Sequence, residues 1–197
     1  MENLGNKKVL VIAGPTGSGE SSITKAIVEQ YPYTVSRLVT MTTRAPRGGE
    51  QHGVDYLFSS KDDFLKMKEE GEILECTYVQ SRDCYYGTYK PQLERQIAEY
   101  SVVIANTDAV GVRYYREHYG AVGIFIVPPD LDTIARRLRA RNPDISEEEL
   151  KKRLTHAEQE MAEERSSYDY EVLNTDGGFE EAVAEVFTIM RREGYQF

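Results

Sequence analysis

The sequence predicts an α/β protein: a parallel sheet flanked by helices, with an inserted and mainly antiparallel piece. Three observations predict it. Wholly apolar runs at Val9-Leu10-Val11-Ile12-Ala13, at Val102-Val103-Ile104-Ala105 and at 122–127 suit strands buried on both faces of a parallel sheet. Each run is followed by a segment of helical periodicity. Between the first and second runs, short strand-like segments cluster within 35–89, separated by turn signals.

Taken in order, the first strand spans 8–13, and its helix covers about 19–30. That helix ends before Tyr31-Pro32, because proline disfavours the helical region in the residue preceding it. Residues 35–40 read as a second strand, and 42–50, with Pro46, Gly48 and Gly49, as irregular chain. A weak alternation at 54–58 suits a strand. Ser60 as N-cap, with Asp63 three residues later, opens a helix that should end at Gly71. A strand at 72–78, a polar turn at Ser81-Arg82-Asp83 and the segment Tyr85-Tyr86-Gly87-Thr88 come next. Pro91 fits the first turn of a helix that buries Leu93 and Ile97. Beyond the strand at 101–105, a helix over 110–118 leads to the run at 122–127. Pro128-Pro129-Asp130 starts a helix with Leu131, Ile134, Ala135 and Leu138 on one stripe. Ser146 and Glu149 match a capping box, with Leu150, Leu154, Ala157 and Met161 continuing helically. A strand at 170–173 precedes a last helix with Phe179, Ala182, Val183, Val186, Phe187 and Met190 at core spacing. These stripes are packing surfaces.

With 197 residues, 40% of them hydrophobic, the chain can bury one sizeable core and still carry an inserted subdomain. A net charge of −9 and a pI near 5.0 argue against a general binder of nucleic acid or membrane surfaces, which needs a cationic face. A small basic pocket for a phosphorylated metabolite is compatible with that balance. The two cysteines, Cys76 and Cys84, lack metal-ligand spacing and suggest a reducing compartment. Residues 1–8 hold no long apolar segment and no later run could span a bilayer, so a cytoplasmic protein without membrane or nucleic-acid partners is expected.

The stretch with the clearest chemistry is Gly14-Pro15-Thr16-Gly17-Ser18-Gly19-Glu20-Ser21-Ser22. A buried strand, a glycine-rich turn and a helix start form the frame of a phosphate-binding loop, in which backbone N–H groups and a helix N-terminus face an anion. The pattern G-x-x-x-x-G-K-[ST] is met except at Glu20, which stands where a lysine would reach the β- and γ-phosphates. Ser21 supplies the hydroxyl at the magnesium-ligand position.

The arginines form two groups. Arg44 and Arg47 lie on a loop near Thr40, Thr42, Thr43 and Tyr56, and their forks match phosphate oxygens. Taken alone, two loop arginines are more often solvated than functional. Arg136, Arg137, Arg139, Arg141 and Arg153 flank the break at Asn142-Pro143-Asp144. They fit an arginine-bearing flap over transferring phosphates and, equally, a salt-bridged hairpin beside Glu147–Glu149. Arg136 and Arg139 are expected to face solvent.

The segment Thr42-Thr43-Arg44-x-x-Arg47-x-Gly49-Glu50-x-x-Gly53-x-x-Tyr56 resembles the guanylate kinase signature. Glu75, Tyr85-Tyr86-Gly87-Thr88, Asp108-x-x-Gly111, Arg137-Leu138-x-x-Arg141, Lys152-Arg153-Leu154 and Tyr170-x-Val172-x-Asn174 extend the resemblance in the family's order. It implies a three-layer P-loop kinase core from 1–35 and 91–197, an inserted GMP-binding subdomain at 36–90 and a helical arginine-bearing lid at 139–153. It also implies that Arg44, Arg47, Tyr56 and Tyr86, with Thr40 nearby, hold the GMP phosphate. Glu75 would accept from the guanine N1–H and amine, Thr88 would contact the O6/N7 edge, and Asp108 the amine. A carboxylate pairs with guanine's two adjacent donors and poorly with adenine, which lacks both. ATP would lie on Gly14, Thr16, Gly17, Ser18, Gly19, Glu20, Ser21 and Ser22, with Asn174 near adenine and Ser21 on Mg²⁺. Arg137, Arg141 and Arg153 would surround the transferring phosphates, and no protein nucleophile is needed. His52, His118 and His156 are isolated and receive no role.

Two positions depart from the family pattern, Glu20 and Asn106 (an acidic residue is usual at the latter), and there is a small insertion around 81–84. Two unit charges 4 Å apart repel by ~4 kcal/mol at an effective dielectric near 20, so an inward-facing Glu20 opposes polyphosphate binding. Glu20 could instead ligand Mg²⁺ or turn toward a lid arginine, while Lys25 lies too far around the helix to substitute. The resemblance therefore implies a Mg-dependent guanylate kinase using ATP and GMP. The alternatives are an inactive module of the same fold that binds GMP or a phosphopeptide, and a kinase for another nucleoside monophosphate, which Glu75, Thr88 and Asp108 argue against.

Overall fold

A computed structural model describes residues 7–197. Five strands form a parallel sheet in the order β2-β7-β1-β8-β9: β1 (Val9–Ala13), β2 (Val35–Arg37), β7 (Val102–Ala105), β8 (Val122–Val127) and β9 (Tyr170–Leu173). The alternation of side chains across β1 explains why its sequence is apolar throughout. Leu10 and Ile12 face α1 (Glu20–Gln30) and α7 (Phe179–Arg192), joining Ile23, Ile27, Val183, Val186 and Met190 in one core layer. Val9 and Val11 face the other way, onto Leu93 of α3 (Lys90–Glu99) and Val112 and Tyr115 of α4 (Ala109–Tyr119).

A second sheet, in the order β4-β3-β6-β5, is built from β3 (Met41–Thr42), β4 (Leu57–Phe58), β5 (Ile73–Val79) and β6 (Cys84–Tyr89). β6 runs antiparallel to both its neighbours, and β3 pairs parallel with β4. It has its own small core, Met41, Phe64 and Ile73, with Phe64 supplied by α2 (Lys61–Glu69). Ser60 caps α2 by accepting from the Asp63 N–H at 3.0 Å, as its sequence implies. A third cluster joins α5 (Leu131–Arg141) to α6 (Glu147–Glu163) through Ile134, Leu138, Leu150 and Ala157. No helix among the described residues is long and apolar enough to cross a membrane.

Three local expectations need correction. The strand expected over 35–40 leaves the sheet after Arg37, because the Val39 N–H is taken by the Gln96 side chain at 3.1 Å. The strand expected over 54–58 is confined to Leu57–Phe58, since Val54 and Asp55 sit in a turn whose carbonyls accept from Arg37 at 2.8 and 2.9 Å. Thr42, expected in irregular chain, is paired with Tyr86 and Phe58.

Ile124 is fully buried at the centre of the layer beneath α7. Ile124→Ala should lower the unfolding free energy by ~2–5 kcal/mol, seen as an earlier urea midpoint at unchanged slope.

Candidate active site

The glycine loop leaves the carboxyl end of β1, the central strand, where open α/β sheets hold ligands. Gly17 and Gly19 adopt φ of 83° and 96°, conformations that L side chains rarely reach. A Cβ on Gly19 would also lie 2.3 Å from Asn174 Nδ2. The loop's carbonyls are tied to other elements. Ser18 O accepts from Asn174 Nδ2 at 2.7 Å, and Arg137 Nη1 donates to Gly17 O and Ser18 O, each at 3.2 Å. Arg137 Nη2 donates to Asn174 O at 2.9 Å and pairs with Asp176 at 3.0 Å. With the carbonyls so held, the first N–H groups of α1 remain without intrahelical partners, as at any helix start.

Glu20 is the first residue of α1 and lines two cavities, of about 340 and 500 Å³, that meet at Gly14 and Glu20. Its carboxylate accepts from the Ser21 hydroxyl at 3.2 Å and forms no salt bridge among the described residues. Burial pushes its carboxyl up to about 7; the Ser21 hydrogen bond opposes the shift and Glu160 adds to it. Lys25 faces outward and pairs with Glu29 at 3.6 Å, so it does not serve as the missing lysine.

The larger cavity adds Thr16, Ser21, Ser22, Arg141 and Asn174 to the loop glycines. Asn174 is buried, and its Oδ1 has no hydrogen-bond partner. Arg153 lines neither cavity and is paired with Glu149 at 2.7 Å. Arg136 and Arg139 are exposed, paired with Asp176 and Glu147.

The smaller cavity brings Thr40, Arg44, Arg47, Tyr56, Glu75, Tyr86 and Asp108 together. Arg44 is gripped by Glu50 through both terminal nitrogens, at 2.6 and 2.7 Å. Its Nε donates to Tyr86 Oη at 3.0 Å, and its guanidinium lies 4.9 Å from the Tyr56 ring centroid. Arg44 first, and then the Arg47 N–H donating at 2.8 Å, hold the Glu50 carboxyl down at about 2. Arg47 is exposed, and its guanidinium has no partner among the described residues.

At the other end of this cavity, Thr88 Oγ1 donates to Glu75 Oε1 at 2.6 Å and lies 2.6 Å from Tyr115 Oη. Thr88 is buried behind Glu75 and does not itself line the cavity. Asp108 uses one oxygen to cap α4, accepting from Val110 and Gly111, and the other to accept from Thr77 at 2.6 Å. Burial pushes Glu75 up to about 7; Thr88 opposes the shift and Asp108 adds to it. Asn106 donates to Ile12 O at 2.9 Å and to Thr24 Oγ1 at 3.0 Å, fastening the end of β7 to β1 and α1.

Glu50, Thr77 and Tyr115 are the site residues that sequence reasoning left without a role. Glu50 was within reach of a sequence argument, six residues from Arg44 inside the quoted signature. Nothing local marked Thr77 or Tyr115.

A glycine loop closing the central strand of a parallel sheet, two cavities meeting at that loop and a separate small sheet walling one of them define a P-loop kinase. A crystal structure of guanylate kinase from Anaplasma phagocytophilum superposes with a TM-score of 0.73 at 27% identity, covering 97% of this chain and 88% of that one. Shikimate kinase from Acinetobacter baumannii shares the fold alone, at 10% identity and a TM-score of 0.52. The guanylate kinase family model matches residues 6–193. Guanylate kinase from Idiomarina loihiensis is 36% identical over 96% of this chain and 89% of its own length, and that of Granulibacter bethesdensis 38% identical over 92% and 82%. The chain belongs to the guanylate kinase family, and it is an enzyme of the nucleoside monophosphate kinase type.

The Glu75 carboxyl binds its proton more tightly in the folded protein (about 7) than in the unfolded chain (4.5). Its contribution to stability is therefore greatest below pH 4.5 and is lost as pH rises through about 7. Glu75→Gln should flatten that part of the stability–pH curve, as followed by urea unfolding from pH 4 to pH 8.

Proposed function

We propose that the chain transfers the γ-phosphoryl group of Mg-ATP to GMP, giving GDP and ADP. The observation that carries this reading is the meeting of the two cavities at Gly14 and Glu20, with a guanidinium pair at one end of the smaller cavity and the half-buried Glu75 carboxylate at the other. In this reading residues 36–90 hold the acceptor and 139–153 form the lid.

Arg44 and Arg47 bind the acceptor phosphate, assisted by the Tyr56 and Tyr86 hydroxyls and by Thr40. Glu50 and Tyr86 hold the Arg44 fork in one orientation before substrate arrives, which lowers the ordering entropy of binding. Glu75, oriented by Thr88, accepts from the two adjacent donors of guanine, and Asp108 stands beside the exocyclic amine. Adenine offers neither donor pair, and a buried acceptor left unpaired costs about 1–3 kcal/mol.

The donor triphosphate lies over Gly14, Thr16, Gly17, Gly19, Ser21 and Ser22 at the α1 N-terminus, while Ser18, expected among them, is fully buried and gives its N–H to Pro15 O. The free Asn174 Oδ1 suits an adenine amine. Arg137 acts through the loop, by holding its carbonyls, and Arg141 faces the phosphates. Arg153 reaches them only if the lid closes and its pairing with Glu149 is exchanged. The Ser21 hydroxyl is a hard oxygen donor that would hold magnesium. Bound there, the metal would supply positive charge against the donor phosphates. The residues' remaining task is alignment of acceptor and donor in a water-poor cleft.

The Glu20 carboxylate, where the motif puts a cation, favours a second reading: a module that binds GMP without phosphoryl transfer. A coupled assay of ADP release with GMP, AMP, CMP and UMP separates the two. Turnover is expected with GMP alone, and Glu75→Gln should lower kcat/KM for GMP by about 10–100-fold. Glu20→Lys should raise turnover by one to three orders of magnitude, roughly what removing one repulsive charge contact of ~4 kcal/mol permits. GMP binding without ADP release in either chain would establish the module.

A further inference from the structure

We propose that Arg82, on the turn joining β5 to β6, contacts the phosphates and supplies from across the cleft the positive charge that the glycine loop lacks at position 20. The proposal rests on the phosphotransfer reading above. Alternation along β5 sets Glu75, Thr77 and Val79 on the cleft wall, and Arg82 continues that wall past the strand end. The cavity it lines also contains Gly14, Glu20, Arg44 and Arg47.

The turn is held by the residue next to Arg82. Gln80–Arg82 forms a short 3₁₀ turn closed by Asp83, whose φ of 48° is the one left-handed non-glycine conformation among the described residues. The Asp83 carboxylate accepts from Tyr78 Oη at 2.5 Å and pairs with Lys61 of α2, and its N–H donates to Gln80 O at 3.2 Å. Asp83 is thus anchored toward the small sheet and α2. The Arg82 guanidinium has no hydrogen bond or ion pair among the described residues.

The other arginines around the two cavities are mostly engaged. Arg44 is held by Glu50, Arg137 by loop carbonyls and Asp176, and Arg153 by Glu149. Arg47 and Arg82 are the unpaired guanidinium groups on the smaller cavity, among the described residues. Its wall also carries Glu20, Glu160 and Glu164, a field that opposes two approaching phosphate groups unless a cation stands among them. A guanidinium fork can bridge oxygens of acceptor and donor phosphates together. Arg82 is also within electrostatic reach of the helical flap: Glu149, at the start of α6, is held below the usual carboxylate range first by Arg153 and further by Arg82. The residue lies in the small insertion that departs from the family pattern, in the same chain whose loop departs at Glu20.

The test compares the native chain, Arg82→Gln and Arg82→Lys, each with residue 20 as Glu and after Glu20→Lys. GMP and ATP binding are measured by calorimetry, and turnover by coupled ADP release. With Glu20 present, Arg82→Gln should lower kcat at least tenfold while the GMP dissociation constant stays within threefold, and Arg82→Lys should lie between. After Glu20→Lys, the loss caused by Arg82→Gln should shrink below threefold, because the loop then carries its own cation. An Arg82→Gln chain within twofold of native kcat overturns the assignment, as does an equal loss in both backgrounds. A native chain that binds GMP but neither binds nor turns over ATP overturns it too. Failure of the native chain to bind GMP overturns the underlying reading of the site.

Discussion

The grip of Asn174 and Arg137 on the carbonyls of Gly17 and Ser18 is the interaction from which the rest of the site follows. A glycine-rich loop has little preference for one shape, and its conformational entropy opposes any single one. Three hydrogen bonds from α5 and from the residue after β9 fix it, and they come from residues 119 to 156 positions away in sequence. Close contact with Asn174 leaves no room for a side chain at Gly19, so the loop and the strand end after β9 determine each other's geometry. Both cavities begin at this loop, which makes its shape a condition for everything that lines them.

Charge is the second constraint. The protein is acidic overall, and its cleft is acidic locally, yet its family handles anions. Oppositely charged neighbours reconcile the two in part. Glu50 keeps Arg44 in place and extends an aromatic and guanidinium cluster with Tyr56 and Tyr86, so this end of the smaller cavity is preorganised. Glu75 has no such cation beside it, and burial keeps its proton affinity high. Glu20 is in the same condition at the loop, its carboxyl likewise raised by burial.

Much of the fold was legible because its signals are local. The strands at 122–127 and 170–173 fall where the apolar runs put them, and the Ser60, Ser146 and Asp130 caps begin α2, α6 and α5. The glycine loop was readable for the same reason, as a short motif between a strand and a helix, whereas the arginine loop stood out only through the family resemblance. The strand ends at Arg37 and Leu57 were not readable, since side chains from Gln96 and Arg37 intercept the backbone there. The second function of Asp108, as cap of α4 and acceptor for Thr77, likewise depends on a neighbour 31 residues distant.

By itself the sequence determined the parallel core, the insertion, the phosphate loop and the identity of the charged groups that surround it, because periodicity and spacing act along the chain. Only the tertiary structure decided which of those charges meet. It gave Asp176 to Arg137 and Thr77 to Asp108, and it left Glu20 facing the cleft with no cation in contact. The physical reason is that pairing energy depends on separation and burial, and both are set by how distant segments pack rather than by their order.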